Sequence, residues 1–164
     1  MFKLLIPTEK IQSVLDLTPE KLEQLGIRNL LLDVDCTLKS YRTQEVSPEI
    51  RQWLQQMKDS CIGLCLVSNG AEKRIARFAQ SLQIPWVALA LKPSIRGCVR
   101  ALKENHFDPS ETAMVGDQIL SDVLAGNRTG IRTFLTVPIQ PEEEPWFTRI
   151  KRFLEAIIRV VLYR

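Results

Sequence analysis

The chain has 164 residues, 45% hydrophobic and 25% charged, which suits one ordinary globular domain and excludes a disordered or fibrous chain. A formal net charge of +3 is too small to argue for a nucleic-acid partner. No apolar run approaches the roughly 18 residues of a membrane-spanning helix, and Met1-Phe2-Lys3-Leu4-Leu5-Ile6-Pro7 is too short for a signal peptide, so a cytoplasmic protein able to touch the inner face of a membrane is expected.

In chain order, residues 1–28 read as a helical extension. Strand-like runs follow: "NLLLDV" (29–34), "IGLCLV" (62–67), "WVALA" (86–90), "TAMVG" (112–116) and "RTFLTV" (132–137). Each is short, continuously apolar and followed by polar or glycine-containing turn residues, the pattern of strands covered on both faces. Ser47-Pro48 supplies an N-cap and first-turn proline to the helix "EIRQWLQQMKD". The segments 71–82, 94–105 and 119–130 carry apolar residues at three- and four-residue spacing. Repeated strand–helix alternation predicts an α/β chain with a three-layer, Rossmann-like fold and a mainly parallel sheet. Such sheets bind ligands at the carboxyl ends of their strands.

Those ends carry a particular chemistry. The first strand ends in Asp33 and Asp35, the second in Ser68-Asn69-Gly70; Lys92 follows the third, and Asp117 the fourth, with Asp122 five residues on. A serine at a strand tip beside free backbone N–H groups is a phosphate cradle, and a lysine supplies a point charge for phosphate oxygens. Clustered aspartates favour a hard, oxygen-liking cation, Mg²⁺ above others. Each motif alone is a commonplace turn; in this order, at successive strand ends, the acids would repel one another without a cation.

The cysteines argue for less. Cys36, Cys61, Cys65 and Cys98 form no C-x-x-C pair and are joined by a single histidine, His106, which opposes a zinc site. Cys61 and Cys65 share a parity along a strand-like run and read as small buried hydrophobes, and His106 reads as a solvent-facing loop residue. Cys36 stands five residues before Arg42, the spacing of a cysteine phosphatase. That loop needs glycines and an ionised thiol, whereas "CTLKSYR" has no glycine and an aspartate precedes the cysteine. A carboxylate is therefore the expected nucleophile.

The segments "DVDCTL", "VSNG", "LKP" and "VGDQILSD" resemble, in order, the four motifs of the haloacid-dehalogenase-like phosphohydrolase superfamily. More of the chain, "LLIPTEKIQSVLDLTPEKLEQLGIRNLLLDVD" and "GDQILSDVLAGNRTGIRTFLTVP", resembles its subfamily IIIA phosphatidylglycerophosphate-phosphatase-like branch. One departure is Cys36, which stands where asparagine is usual. The resemblance implies a Mg²⁺-dependent phosphomonoester hydrolase acting through an aspartyl-phosphate. Asp33 is then the nucleophile, and Asp35 the acid and base. Mg²⁺ is held by Asp33, the backbone carbonyl of Asp35 and Asp117, with Asp122 acting through water or from behind these ligands. Ser68, Asn69, Thr37 and Lys92 meet the substrate phosphate. The implied role is phosphatidylglycerophosphate hydrolysis in phosphatidylglycerol synthesis. A soluble phosphosugar or nucleotide phosphatase, and a non-catalytic module binding phosphorylated ligands or a partner, stay as alternatives. A receiver-type switch would need its aspartate on a middle strand, where Ser68 stands.

Thirty-five positions separate Asp33 from Ser68, and 24 separate Ser68 from Lys92, which leaves no room for a cap domain and predicts a single capless domain over 1–164. An open site takes its water exclusion from a large substrate or partner. Residues 145–164 read as a basic amphipathic helix, with Trp146, Phe147, Ile150, Phe153, Leu154, Ile157, Ile158, Val161 and Leu162 on one side. Arg149, Lys151, Arg152, Arg159 and Arg164 stand against the lone acid Glu155. Such a helix suits an anionic membrane interface; packing on the sheet or against a second copy is equally open, as is the oligomeric state.

Overall fold

Leu30, Leu31 and Leu32 are fully buried, because a run of apolar side chains pointing alternately to both faces of a strand must be covered on both sides. They form strand β2 (Asn29–Leu32) at the centre of a six-stranded sheet in the computed structural model, which describes residues 2–162. The other strands are β1 (Glu9–Lys10), β3 (Gly63–Val67), β4 (Trp86–Val87), β5 (Thr112–Gly116) and β6 (Arg132–Leu135). They lie in the order β1-β6-β5-β2-β3-β4, and every pairing is parallel.

The helices are α1 (Pro19–Gln24), α2 (Pro48–Asp59), α3 (Glu72–Leu82), α4 (Arg96–Asn105), α5 (Leu124–Thr129) and α6 (Trp146–Leu162). α2 starts where expected because the Ser47 hydroxyl accepts from Ile50 N–H at 3.3 Å and Pro48 fills the first turn. Leu30 and Leu32 pack with Trp53 and Met57 of α2 and Ile75 and Phe78 of α3 on one face of the sheet. Leu31, Cys65 and Met114 pack with Cys98 and Ala101 of α4 and Ala125 of α5 on the other. The expected three-layer, mainly parallel α/β architecture is the one found.

The chain runs from β2 to β3 and β4 on one side, then returns to β5 and β6 on the other. Connections thus diverge between β2 and β5, and a crevice opens at the carboxyl ends of those two strands. Leu32 lies opposite both Leu66 and Val115, which brings the tips of β2, β3 and β5 to one level. Among the described residues, only a loop and α2 separate β2 from β3, and α3 and β4 separate β3 from Lys92.

Several expectations are corrected. The segment read as a helical extension holds 3-10 turns and α1 but also β1, whose entry is pinned by reciprocal bonds between Thr8 and Thr133. The third run stops at Val87, because Leu89 and Leu91 take left-handed backbone (φ 48° and 55°) and lead the chain off the sheet. The fourth helix opens with a π-helical turn, Ile119–Val123, before α5. Cys61 is exposed, at a left-handed position (φ 58°) in the turn after α2, whereas Cys65 is buried as expected. His106 is exposed at the end of α4, also as expected.

Candidate active site

The ladder at the tip of β2 ends with Asp33 N–H donating to Val115 C=O at 2.9 Å. Beyond it the chain turns: Leu38 N–H donates to Val34 C=O at 3.0 Å, and Cys36 N–H to Lys39 C=O at 2.7 Å. Asp35 is thus brought over the sheet by a turn, not by the pleat of a longer strand, which corrects the expected 29–34 boundary. Cys36 is the left-handed residue of that turn (φ 63°). Asparagine tolerates this conformation best after glycine, a physical reason for its usual place there. The Cys36 thiol is fully buried; burial and the carboxylates of Asp117 and Glu144 raise its pKa far above the usual thiol value. Arg42 is exposed, its N–H bound to Glu143 at 3.2 Å. The cysteine–arginine spacing builds no site.

Asp33, Asp117 and Asp122 are all buried, and each offers an oxygen within 4.8 Å of the others. Gly116 makes room for this: a Cβ there would lie 2.3 Å from the Asp122 carboxyl carbon. Asp122 also accepts from Gln118 N–H at 3.0 Å, which fixes it in the π-helical turn. The Thr37 hydroxyl lies 3.1 Å from Asp117 and 3.4 Å from Asp33 and is engaged by the carboxylates; expected at the phosphate, it does not line the cavity.

Burial pushes Asp33 up to about 7 against the pull of Lys92, and Asp117 up to about 6 against that of Arg152. Asp122 is raised for the same reason, again opposed by Lys92. Lys92 Nζ stands 2.6 Å from Asp33, 2.7 Å from Asp122 and 2.6 Å from Val67 C=O. Burial alone would lower its pKa, but the two carboxylates hold it well above the ordinary value. Asp122 Oδ1 is buried, and its charge is compensated by the Lys92 ammonium 2.7 Å away. Three desolvated carboxylates with oxygens within 4.8 Å of one another, and no histidine or cysteine in the set, fit a hard divalent cation. A cation there would reverse the upward shifts.

The Asp35 carboxylate stands apart from this cluster. It accepts two bonds from Arg74, at 2.8 and 2.6 Å, and one from Lys39 at 3.0 Å. Burial raises its pKa, but these cations outweigh it and hold the group below the usual carboxylate value. Of Asp35, only the backbone carbonyl is left to join a metal set. Asp122, expected to act through water or from behind the direct ligands, offers an oxygen within 4.8 Å of those of Asp33 and Asp117.

Asp33, Asp35, Ser68, Arg74 and Lys92 line one cavity of about 390 Å³. The Ser68 hydroxyl accepts from Gly70 N–H at 3.1 Å. The Asn69 side chain clamps the Lys92 backbone at both ends, at 3.0 and 2.7 Å, and so holds the loop that presents Lys92. Sequence reasoning missed Arg74, Lys39 and two residues of α6. Arg152 Nη2 lies 2.5 Å from Asp117, and its Nε pairs with Glu144; Glu155 accepts from Leu120 N–H at 2.8 Å. Their signal was a polar stripe on the terminal helix, without any sign of where it points.

The family model "Mitochondrial PGP phosphatase" matches residues 2–140. The chain is 33% identical over 162 residues to the probable phosphatase YqeG of Bacillus subtilis, covering 99% of this chain and 94% of that protein. It is 27% identical over 150 residues to Arabidopsis thaliana phosphatidylglycerophosphate phosphatase 1, covering 83% of this chain and 42% of the plant protein. Among solved structures, an uncharacterized Listeria monocytogenes protein matches with a TM-score of 0.58 at 19% identity, over 82% of this chain and 100% of that one. The cobalt-bound deoxy-D-mannose-octulosonate 8-phosphate phosphatase of Haemophilus influenzae matches at 0.55 and 15%, over 82% and 88% of the two chains. These two likenesses concern the fold. On the family match and the relatives, the chain belongs to the mitochondrial PGP phosphatase family of phosphoric monoester hydrolases.

Proposed function

We propose that this chain is a Mg²⁺-dependent phosphatase that works through an aspartyl-phosphate on Asp33, with phosphatidylglycerophosphate at an anionic membrane surface as its substrate. The observation that carries the reading is the setting of Asp33. It lies on one cavity with Lys92 at 2.6 Å and in one carboxylate cluster with Asp117 and Asp122, while Asp35 opens onto the same space.

In the first half-reaction an Asp33 oxygen bonds to phosphorus, and the ester oxygen leaves, taking a proton from Asp35. In the second, Asp35 takes a proton from a water whose oxygen bonds to phosphorus, the Asp33–phosphorus bond breaks, and phosphate leaves with Asp33 restored as a carboxylate. The ion pair with Arg74 favours ionised Asp35, the form the second step needs. Arg74 lines the cavity, so substrate phosphoryl oxygens compete for its guanidinium and leave Asp35 with Lys39 as its remaining cation, which eases the protonation the first step needs. Lys92, the Ser68 hydroxyl and the backbone beside it meet the equatorial oxygens. Asp33, Asp117, Asp122 and the Asp35 carbonyl would hold the cation, which supplies positive charge to the phosphoryl group.

The lipid assignment draws on the family and on the open cavity, whose lining includes Thr148 and Lys151 of α6. Among the described residues, no helix is long and apolar enough to cross a membrane. The test is Mg²⁺-dependent phosphate release from phosphatidylglycerophosphate in anionic vesicles, beside soluble phosphosugars and nucleotides, with Asp33→Asn as the blank. The reading predicts preference for the lipid. Preference for a soluble ester removes the lipid assignment and keeps the chemistry; no release from any ester defeats both.

A further inference from the structure

A helix packed on a domain ordinarily buries its apolar stripe and leaves its charges in water. α6 does the reverse. Arg152 and Glu155, three residues apart on one face, turn into the protein, with Glu155 only 2% exposed. Ile150, Phe153, Leu154, Ile157 and Val160, at three- and four-residue spacing on the opposite side, are between 48% and 68% exposed. Ile158 packs at the margin, against Ile119, Val123 and Leu135. Leu5 of the 3-10 turn Phe2–Leu5 packs on that same cluster, and Phe2 and Leu4 of that turn are exposed. Phe147, Val161 and Leu162, counted in the apolar arc, and the side chains of Arg149 and Arg159 lie outside the described side chains, as Arg164 lies outside the described residues.

The occupant of this face follows from its charge. Lys151 is exposed beside the stripe, and the segment 146–162 carries four basic residues against one acid, Glu155, which faces inward. An apolar stripe in a basic helix fits the interface of an anionic bilayer, where the stripe enters the acyl boundary and the cations meet headgroups. The inner face of the same helix holds Arg152 2.5 Å from Asp117. A guanidinium and a divalent cation compete for that carboxylate.

We propose that the outer face of α6 docks on an anionic lipid surface and that docking draws Arg152 off Asp117, so that lipid binding and divalent-cation binding strengthen each other. The inference rests on reading Asp33, Asp117 and Asp122 as the cation site. Among the described residues, α6 meets the domain through anchors that include the pairs of Arg152 with Asp117 and Glu144, the Glu155–Leu120 bond and Ile158. A helix with a second, apolar place to go can leave such a seat. Linkage requires the coupling to be reciprocal: the factor by which lipid tightens cation binding is the factor by which the cation tightens lipid binding.

The test uses the full chain and two binding readouts. Mg²⁺ affinity is measured calorimetrically with and without phosphatidylcholine vesicles containing phosphatidylglycerol, with vesicles alone as the blank. Vesicle binding is measured by co-sedimentation with and without Mg²⁺. The expected result is a coupling of about 5-fold or more in both directions. Arg152→Gln should bind Mg²⁺ without vesicles as tightly as the vesicle-bound wild type and show no coupling. Phe153→Glu with Ile157→Glu, both at exposed positions, should lose vesicle binding and keep the vesicle-free Mg²⁺ affinity. Vesicle binding that leaves Mg²⁺ affinity unchanged overturns the coupling, and vesicle binding that survives the double substitution overturns the docking face. A dimer closed through α6 that ignores vesicles assigns the face to a second copy and overturns the proposal. No Mg²⁺ binding in any condition defeats the underlying site reading, whereas Mg²⁺ binding without coupling defeats only this inference. If Arg152→Gln does not fold, the wild-type coupling still decides the matter.

Discussion

Replacing Lys92 by Met removes the cation between Asp33 and Asp122 while keeping most of the side chain's bulk. The Lys92 side chain is 1% exposed and its ammonium stands 2.6 Å from Asp33 and 2.7 Å from Asp122, so water cannot take its place. Removing one partner of a buried ion pair costs about 3–5 kcal/mol, and with two carboxylates bereaved at once the cost falls in the upper half, about 4–5 kcal/mol. At about 2–4 °C per kcal/mol for a domain of this size, Tm should fall by about 8–20 °C. The loss should depend on pH. Burial already raises Asp33 to about 7 and also raises Asp122; without the ammonium both rise further. An acid with a raised native pKa favours the native state while protonated, and that stability is lost as pH climbs from the ordinary carboxylate range through the native value. The deficit relative to wild type should therefore grow from about pH 5 to about pH 8. Thermal unfolding by circular dichroism in a chelator measures it, and added Mg²⁺ should recover part of the loss. A variant melting within about 2 °C of wild type at the upper pH would refute the charge balance argued here.

Cys36→Ser should keep most of the activity, since a hydroxyl fills the same space in the left-handed turn and the buried thiol is held protonated, not as the nucleophilic thiolate; complete loss of turnover, in a protein that still folds, would restore the thiol as nucleophile. Gly116→Ala should weaken Mg²⁺ binding in calorimetry, because the added Cβ would lie 2.3 Å from the Asp122 carboxyl carbon and must displace it; unchanged affinity contradicts a ligand role for Asp122. Burial pushes Glu155 up to about 7, with Asp117 and Asp122 adding to the rise and Leu120 N–H and Arg152 opposing it. The seating of α6 on the domain should then be firmest below the ordinary 4.5 and weaken as pH rises to about 7. Hydrogen exchange along α6 should show this slope in wild type and a flatter one in Glu155→Gln; equal slopes would remove Glu155 from the account.

The central strands were legible because continuous apolar runs have one home in a parallel sheet, and Asp33, Ser68, Lys92, Asp117 and Asp122 were legible because they follow such runs in order. β1 was not, since two residues carry no periodicity. The turn that lifts Asp35 was missed because its left-handed residue is a cysteine, which announces no turn as glycine or asparagine would. Arg74 and Arg152 were missed for another reason: their carboxylate partners lie 39 and 35 residues away, and which cation meets which acid is decided by tertiary distance. α6 shows the limit most clearly. Periodicity revealed two unlike faces, but not that the charged one turns inward, because the usual burial rule gives the opposite answer.

The central claim is that Asp33 carries the phosphoryl group, and the most direct measurement is to catch it there. The protein is mixed with phosphatidylglycerophosphate vesicles and Mg²⁺, quenched in acid, trapped with borohydride, and its peptides weighed by mass spectrometry. The account predicts a reduced carboxyl at Asp33, absent when substrate is withheld and absent in Asp33→Asn. A phosphoryl group recovered on Cys36, or an Asp33→Asn protein turning over at the wild-type rate, would contradict it.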